Sequence, residues 1–351
     1  MRTACVRPVL FAQSRARQLA PAVVPHAAGS GCARHPGPRS ATGGGWRRMM
    51  QQFNLRKFQA VVMGLVLVGT LNGSTPVEAQ AVAAAEGQRS FLVFDATLYK
   101  NKPALSGYSL KPIKLLYESR LFPKGHQPQV LPPEQAVRSI AKELRGTSEP
   151  VIVDIERWPL KGDATVVKES VGKLSSILSW IKAEAPDIHL GAYGTVPVRD
   201  YWRAVRGPGS KEYQAWQRDN DRLEELATWQ DALYPSLYTF YPDRQGWVAY
   251  AIAQLAEAKR KSNGKPVYAF LWPQYHESNA TLRLKPIEAD YWELQLNTVR
   301  QHADGLIIWG GWGDHGPEPW NEEAPWWQVT KRFMQGLSSG QLKGPSQLAI
   351  Q

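Results

Sequence analysis

The stretch Val151-Ile-Val-Asp154-Ile-Glu156 decides how this chain can fold and where its chemistry lies. Its apolar residues are typical of a short buried strand, and two carboxylates follow at the polar end. Because side chains alternate along a strand, Asp154 and Glu156 are predicted to point to the same side. Two like charges this close raise the pKa of one of them. A carboxylic acid that stays protonated beside an ionised partner is suited to cleaving a glycosidic bond.

Six further segments share the apolar character of this strand. Together the predicted strands are 91–94, 113–117, 151–153, 189–193, 232–238, 267–271 and 306–309. Several are apolar throughout, as expected of parallel strands covered on their outer face. Amphipathic helices are predicted between them at 133–145, 165–184, 212–228, 246–261, 286–302 and 325–336. This alternation predicts an α/β fold: a single (β/α) TIM-like barrel that is irregular, with seven strands.

The ends of the predicted strands carry acids and aromatic residues. Active sites of such barrels lie at the carboxyl ends of the strands. The residues found there are Asp95, Asp154, Glu156, Tyr193, Tyr238, Trp272, Tyr275, Trp309 and Trp312. Sugars present flat apolar faces that stack on aromatic rings, and hydroxyl edges that bond carboxylates. The strand ends therefore predict a site for a polysaccharide or oligosaccharide substrate.

The first part of the chain is predicted to lie outside the folded domain. Residues 1–48 are rich in Arg, Ala, Gly and Pro. Residues 49–79 have the charged, apolar and small-residue order of a secretory signal peptide. An internal signal peptide would be explained most simply if translation starts at Met49 or Met50. We predict a non-native or unstructured extension at 1–48, a signal peptide at 49–79, a catalytic barrel at 90–336 and a flexible tail at 337–351. The protein is then secreted or periplasmic, without stable membrane insertion once the signal is cleaved; a long targeting extension and an uncleaved anchor are the alternatives.

The basic character of the chain also belongs to its first part. Of 42 basic and 31 acidic residues, ten and one lie in residues 1–79, which leaves 32 against 30 and a net charge of +2 in 80–351. The folded part thus gives no support for nucleic-acid binding. Cys5 and Cys32 are the two cysteines, so the folded part has neither disulfide nor thiolate chemistry. The histidines show no metal-ligand spacing, so we expect no metal and no cofactor.

Four segments resemble the hyaluronidase family of glycoside hydrolases. They are VIVDIERWP at 151–159, TWQDALYPSLY at 228–238, PVYAFLWPQY at 266–275 and GLIIWGGW at 305–312. The first is similar to the family's catalytic strand, an apolar run followed by Asp-x-Glu, Trp and Pro. The last is similar to its closing strand, Gly-apolar-apolar-apolar-Trp-Gly. The four occur in the family's order across most of 90–336.

This resemblance implies a distorted barrel and a retaining, substrate-assisted mechanism, in which the sugar's own N-acetyl oxygen attacks the anomeric carbon. It implies that Glu156 is the general acid/base and that Asp154 holds and polarises the acetamido group. Tyr193, Tyr238 and Trp309 would position that group and wall the pocket. Trp272, Tyr275 and Trp312 are further predicted substrate-binding residues at the rim. The expected protein is a monomeric, hyaluronidase-like endo-N-acetylhexosaminidase that cleaves an N-acetylhexosamine-containing polysaccharide.

Several features depart from the family pattern and keep alternatives open. The folded part lacks cysteine, and Arg157 follows the catalytic Glu where the family usually has an acid. The acids could be structural partners of Arg157 or of another base, and the barrel could bind glycans without cleaving them. A glycosidase with an enzyme nucleophile is a further alternative, with Asp95 or Asp314 in that role. Clustering of Arg157, Arg199 and Arg203 could make a basic groove for a polyanion.

Overall fold

A ring of parallel strands forms the centre of the computed structural model, which describes residues 90–342. The strands are β1 (Leu92–Thr97), β2 (Lys111–Pro112), β3 (Lys114–Tyr117), β4 (Val151–Asp154), β5 (Leu190–Ala192), β6 (Tyr268–Leu271), β7 (Gly305–Gly310), β8 (Trp312–Gly313) and β9 (Gly316–Pro317). The helices are α1 (Glu118–Leu121), α2 (Glu134–Glu143), α3 (Ala164–Glu184), α4 (Tyr201–Ala204), α5 (Lys211–Asp221), α6 (Glu224–Trp229), α7 (Arg244–Ser262), α8 (Ala289–His302) and α9 (Pro325–Ser338), with a 3-10 helix at Leu105–Tyr108. The predictions for 1–48 and 49–79, and for the last residues of the tail, lie outside the described residues.

The ring closes through parallel pairing of its neighbours. β1 pairs with β2 on one side and β7 on the other, β6 pairs with β7, and β3, β4 and β5 follow one another. Residues 233–239, the bridging segment, lie between β5 and β6 through the bridges Tyr193–Tyr234 and Ser236–Phe270. β2 and β3 are two halves of one strand position, interrupted at Ile113. Residues 90–342 thus contain a barrel with seven strand positions, which confirms the predicted irregular (β/α) barrel.

The strands divide their side chains between two layers. Val151 and Val153 of β4 pack outward in one cluster with Leu174 of α3 and other helix residues. Ile152 packs inward with Phe270 and other residues that fill the barrel. Because alternation has period two, Asp154 follows Ile152 on the inner side. The apolar run that predicts the strand therefore also determines that the Asp154 side chain points into the barrel.

Side chains replace part of the backbone ladder around the bridging segment. Leu190 N donates to Asp231 Oδ2 at 2.7 Å, and Ala192 N donates to the buried Gln230 Oε1 at 2.9 Å. Val267 N, at the start of the next strand position, donates to Asp304 Oδ2 at 2.9 Å. Buried backbone donors need such partners, and these satisfy them where regular pairing is absent. The irregular segment is thereby fixed, and it carries Tyr238 to the carboxyl edge.

The helices largely follow the sequence prediction. Asp163 caps α3 by accepting from Thr165 N and Val166 N, as its place before the amphipathic run indicates. The helix predicted over 212–228 is in fact two helices, because the chain turns at residues 222–223 between α5 and α6. The tail predicted from residue 337 begins too early, since α9 continues to Ser338. Within residues 90–342, no helix is long and apolar enough to cross a membrane.

Gly191 gives a test of the packing inside the barrel. A Cβ at this position of β5 would lie 2.0 Å from Tyr234 Cε2, a ring that is itself fully buried. Gly191→Ala is expected to destabilise the fold by about 1–3 kcal/mol, because the ring has nowhere to move. Calorimetry would show a melting temperature lowered by several degrees. The control is Gly172→Ala in α3, where a Cβ meets nothing within 4 Å and the expected change is neutral or stabilising.

Candidate active site

The acid pair lies at the carboxyl end of β4, where the barrel opens. Asp154 is the last residue of the strand and is half-buried, and Glu156 follows two residues later with an exposed side chain. Ile155 between them is buried in the outer cluster. The alternation predicted from the sequence therefore holds through the strand end. Both carboxylates belong to the inner side of the barrel mouth.

The surroundings disfavour the charged forms of both acids. Burial, followed by the negative charges of Glu156 and Glu118, raises the pKa of Asp154 to about 8. Burial also raises the pKa of Glu156, and the positive charge of Arg199 opposes that rise. Glu118 and Glu277 raise the Glu156 pKa further. Glu156 has exposed surface and is nevertheless desolvated, a combination that arises in a cleft and not on a convex surface.

Arg157 does not neutralise this pair. Its Nε donates to Glu118 Oε2 at 3.2 Å, and its guanidinium carbon lies 3.6 Å from the centre of the Phe122 ring. Among residues 90–342, neither Asp154 nor Glu156 forms an ion pair with a basic side chain. The interpretation of the acids as structural partners of Arg157 is therefore wrong. Their raised pKa values are what unpaired carboxylates in a cleft show.

Four predicted aromatic residues come together beside the acids. Tyr193 and Tyr238 have ring centroids 5.8 Å apart, and Tyr238 stacks on Trp309 at 5.8 Å. Trp272 meets Trp309 edge to face at 4.7 Å. The charges of Asp154 and Glu156 both raise the pKa of Tyr238, which places the rings next to the carboxylates. These four side chains, from four strand positions, form the aromatic wall of the site.

The two tyrosine hydroxyls stay protonated. Burial is the main cause that raises the pKa of Tyr193 and of Tyr238 far above the usual range, with the acid pair adding to it. Tyr193 Oη donates to Ser236 Oγ at 2.9 Å on the bridging segment. Tyr193 and Tyr238 are only 8% and 7% exposed, so each presents a small part of its surface to a ligand.

Tyr117 belongs to the site although the sequence prediction does not include it. It is paired in register with Asp154 across β3 and β4. Trp309 Nε1 donates to Tyr117 Oη at 3.1 Å, a contact between the second and the last strand positions. Burial raises the pKa of Tyr117 to about 12, so its hydroxyl remains a donor. This residue could have been found from strand register, because a residue paired with Asp154 must lie at the same edge of the barrel.

Two predicted aromatic residues lie apart from this wall. Tyr275 is 1% exposed, and its hydroxyl donates to Glu288 Oε2 at 2.9 Å at the start of α8, in the outer layer. Trp312 begins a short antiparallel hairpin in which it pairs with Pro317. The structure therefore does not bring these two residues to the acid pair. A position at a strand end predicts that a residue lies at the carboxyl edge of the barrel. It does not predict whether the side chain points into the barrel or toward the helices.

The glycine pair after Trp309 does not leave room for a ligand. A Cβ on Gly310 would lie 3.1 Å from Trp272, and one on Gly311 would lie 2.6 Å from the backbone nitrogen of Tyr99. Gly311 also has φ +81, which disfavours other residues. The space beside these glycines is filled by the protein's own rings. Gly310 lets Trp272 pack edge-on against Trp309, and Gly311 lets Tyr99 approach the strand end.

The other strand-end acids are engaged by cations. Asp95 Oδ2 accepts from Lys102 Nζ at 2.6 Å, and Asp95 Oδ1 accepts from Thr97. Asp314 is an exposed residue paired with Arg283 at 2.6 Å. A carboxylate committed to an ion pair is a weaker nucleophile candidate than a free one. Among residues 90–342, no group of three or more His, Cys, Asp or Glu side chains could hold a metal ion.

The three arginines considered for a basic groove differ in their surroundings. Arg157 is paired with Glu118, and Arg203 is paired with Asp200 and Asp219 at 2.7 Å each. Arg199 has no ion pair among residues 90–342; it lies 4.9 Å from the centre of the Phe240 ring. Its charge lowers the pKa of Glu156 and, after burial, of His276, which falls to about 4. Of these three arginines, Arg199 is the one without an ion pair among residues 90–342, so the three do not together form a basic groove.

Known structures resemble this fold at a distance. Bee venom hyaluronidase in complex with a hyaluronic acid tetramer is 16% identical, with TM-score 0.47 and coverage of 71% of this chain and 96% of that chain. An endo-1,4-beta-D-mannanase from Thermotoga petrophila is 10% identical, with TM-score 0.37 and coverage of 70% and 99%. Fungal beta-1,4-galactanases are 13% identical, with TM-score 0.38 and coverage of 70% and 87%.

These neighbours are all glycoside hydrolases, and at such identities and scores the likeness concerns the fold alone. The barrel itself is established by the strand order and register described above. No protein-family model and no curated protein sequence gave a match to the chain.

Proposed function

We propose that this protein is a hyaluronidase-like glycoside hydrolase that cleaves an N-acetylhexosamine-containing polysaccharide by a retaining, substrate-assisted mechanism. The observation that carries the proposal is the unpaired, desolvated acid pair at the barrel mouth beside the aromatic wall of Tyr193, Tyr238, Trp272 and Trp309. Aromatic faces suit the apolar faces of sugars, and acids with raised pKa values suit proton transfer near neutral pH.

Glu156 is proposed as the general acid/base. Its exposed carboxyl group can reach a glycosidic oxygen in the cleft, and its raised pKa keeps a proton available. It gives that proton to the leaving oxygen as the glycosidic bond breaks. It then takes a proton from the water that opens the cyclic intermediate, which restores the acid.

Asp154 is proposed to handle the acetamido group. The half-buried carboxyl group lies at the strand end behind Glu156 and beside Tyr117. When the N-acetyl oxygen attacks the anomeric carbon, positive charge develops on the acetamido group. That charge favours the ionised form of Asp154, which burial and the neighbouring acids disfavour in the empty site, and the carboxylate next to the nitrogen then stabilises the charge. Tyr193 and Tyr238 would hold the group in position for attack, which raises its effective concentration.

A panel of substrates tests this proposal. Purified protein would be incubated with hyaluronan, chondroitin and chitin-type oligosaccharides, with β-linked mannan and galactan as polymers that lack N-acetyl groups. Only the N-acetylated polymers should give new reducing ends, and NMR should show retention at the anomeric carbon. Cleavage of mannan or galactan instead would contradict substrate assistance, and saturable binding without products would favour the alternative of a non-catalytic glycan-binding barrel.

Arg199 gives a prediction for the pH profile. Its charge lowers the pKa of Glu156, so Arg199→Gln raises that pKa. A general acid must be protonated, and activity is lost as pH rises through its pKa. The alkaline limb of the kcat/KM profile is therefore expected to move upward by about one pH unit in Arg199→Gln. Arg199→Lys keeps the charge and serves as control; a limb that stays in place in both variants contradicts the assignment of Glu156.

Export and oligomeric state are also proposed. Secretion or periplasmic location rests on the signal-peptide pattern of residues 49–79, and a monomer is the proposed form.

A further inference from the structure

Trp202 and Tyr241 form an exposed aromatic pair that the acid site does not use. Trp202 is 62% exposed and Tyr241 is 41% exposed, and their ring centroids are 5.7 Å apart. Aromatic rings contribute most when they are covered, so two open rings in contact leave a large favourable interaction unused. Single exposed apolar side chains are ordinary, whereas a contiguous exposed patch marks a binding surface.

A third ring holds this pair in place. Tyr201 contacts Trp202 and Tyr241 edge to face, at 5.4 Å in each case. Tyr201 itself packs on the buried Tyr250 at 5.2 Å, and its hydroxyl donates to Asp243 at 3.4 Å. Tyr201, Trp202 and Tyr241 are called the aromatic platform here. Its rings are positioned by the fold before any ligand arrives, which reduces the entropy lost on binding.

The aromatic platform lies on the same edge of the barrel as the acid pair. Tyr201 and Trp202 belong to α4, which follows the carboxyl end of β5, and Tyr241 follows the carboxyl end of the bridging segment. In a parallel barrel all such connections leave from one edge. The aromatic platform and the site therefore face the same solvent region.

A row of rings joins the two. Phe240 lies 6.5 Å from Tyr241 and 4.3 Å from His276, and His276 lies 6.3 Å from Tyr238 of the aromatic wall. Arg199, whose charge acts on Glu156, lies over the Phe240 ring at 4.9 Å. The path from the aromatic wall to the aromatic platform thus consists of ring contacts of 6.5 Å or less. A ligand longer than one sugar can follow it.

On the basis of the function proposed above, we propose that the aromatic platform is a distal subsite, on which a pyranose ring of the polysaccharide stacks while another part of the same chain lies at Asp154 and Glu156. The row of rings continuous with the aromatic wall favours a sugar chain over a protein partner. Open faces, tyrosine hydroxyls at their edges and the nearby guanidinium of Arg199 match the alternation of apolar faces and polar edges along such a chain.

Trp202→Ala tests this subsite with little risk to the fold, because the side chain is mostly exposed. KM for a long polymer, such as hyaluronan or another N-acetylated chain that the wild type cleaves, is expected to rise about 3- to 10-fold, since one stacking contact is lost. Cleavage of the shortest oligosaccharide that the wild type accepts, which leaves the fewest sugars to reach the aromatic platform, should change less. Tyr241→Ala should act in the same direction, and Ile252→Ala on the outer helix α7 is the matched control.

Each outcome decides the matter. An unchanged polymer KM in both aromatic variants overturns the distal subsite, and so does an equal loss on the polymer and on the shortest oligosaccharide that the wild type cleaves. Sedimentation that changes from dimer to monomer in Trp202→Ala would assign the patch to self-association and also overturn it. If the wild type cleaves none of the polymers, affinity electrophoresis on the same polymers separates the two proposals: weaker retention of Trp202→Ala keeps the subsite and rejects the enzyme, and no retention of the wild type rejects both.

Discussion

Under the proposed function, Glu156→Gln is expected to lower kcat on an N-acetylated polysaccharide by about 10²- to 10⁴-fold, the range typical of removing a general acid/base. Glutamine keeps the size of the side chain but cannot supply the proton that the leaving oxygen needs. Substrate binding depends mainly on the aromatic wall, so KM should change little. Steady-state kinetics on the polymer, with reducing ends as the readout, provide the measurement.

Glu277→Gln is the matched control for this variant. Glu277 is an exposed acid whose charge is felt at Glu156, but it lies outside the β4 strand end. Its replacement should leave kcat within a few fold of the wild type. Full activity in Glu156→Gln would remove Glu156 from the mechanism, whatever the control shows. A lower melting temperature in Glu156→Gln alone would assign the loss to folding.

Asp154→Asn is expected to lower activity strongly and at the same time to stabilise the protein at neutral to alkaline pH. The activity falls because asparagine cannot stabilise positive charge on the acetamido group, and a loss of about 10²-fold or more is expected. The stability rises because the folded protein disfavours the ionised form: burial, Glu156 and Glu118 raise the pKa of Asp154 to about 8. Asparagine has the same shape as aspartate but no ionised form, so folding does not lose stability through burial of a charge.

The sign of this effect depends on pH. An unfolded aspartate ionises near pH 4, and the folded Asp154 ionises near pH 8, so the wild type loses stability as pH rises between these values. Thermal unfolding should therefore show Asp154→Asn and wild type alike at pH 4, and the variant more stable by several degrees at pH 8.5. Asp95→Asn is the contrasting control, because it breaks the ion pair with Lys102 and should lower the melting temperature. A destabilised Asp154→Asn at pH 8.5 would show that the carboxylate supports the fold.

Much of the barrel can be predicted from the sequence because its strands are fully apolar and its helices are periodic. Strand 151–153 is one example, since it buries Val151 and Val153 in the outer cluster and Ile152 inside the barrel. The helix 165–184 is another, since it packs its buried apolar residues into the outer cluster. The bridging segment is also predicted as a strand, although regular pairing fails there and Asp231 and Gln230 satisfy the neighbouring backbone. Side chains that replace backbone hydrogen bonds between strands come from elsewhere in the fold. They therefore leave no periodic pattern in the sequence of the segment itself.

The site is predicted less completely than the fold. Asp154, Glu156 and four aromatic residues are found because strand ends converge at one edge. Tyr275 is also at a strand end, but its hydroxyl contacts Glu288 in the outer layer. The direction of this side chain depends on how the backbone turns after the strand. Tyr117 is missed, and Arg199 is found only as one member of a possible basic groove, for the opposite reason. The role of Tyr117 depends on strand register, and that of Arg199 depends on how a loop folds back over the site. Neither can be predicted from the neighbouring residues in the sequence.

The contact between Trp309 and Tyr117 joins residues 192 positions apart, and it has a consequence for how the protein becomes active. β7 is also the neighbour of β1, so the last strand position both closes the barrel and completes the mouth of the site. A chain that ends before β7 therefore lacks ring closure and the indole together. Synthesis must pass this point before the proposed active site is complete, so under the proposed function a shortened product would lack catalytic activity.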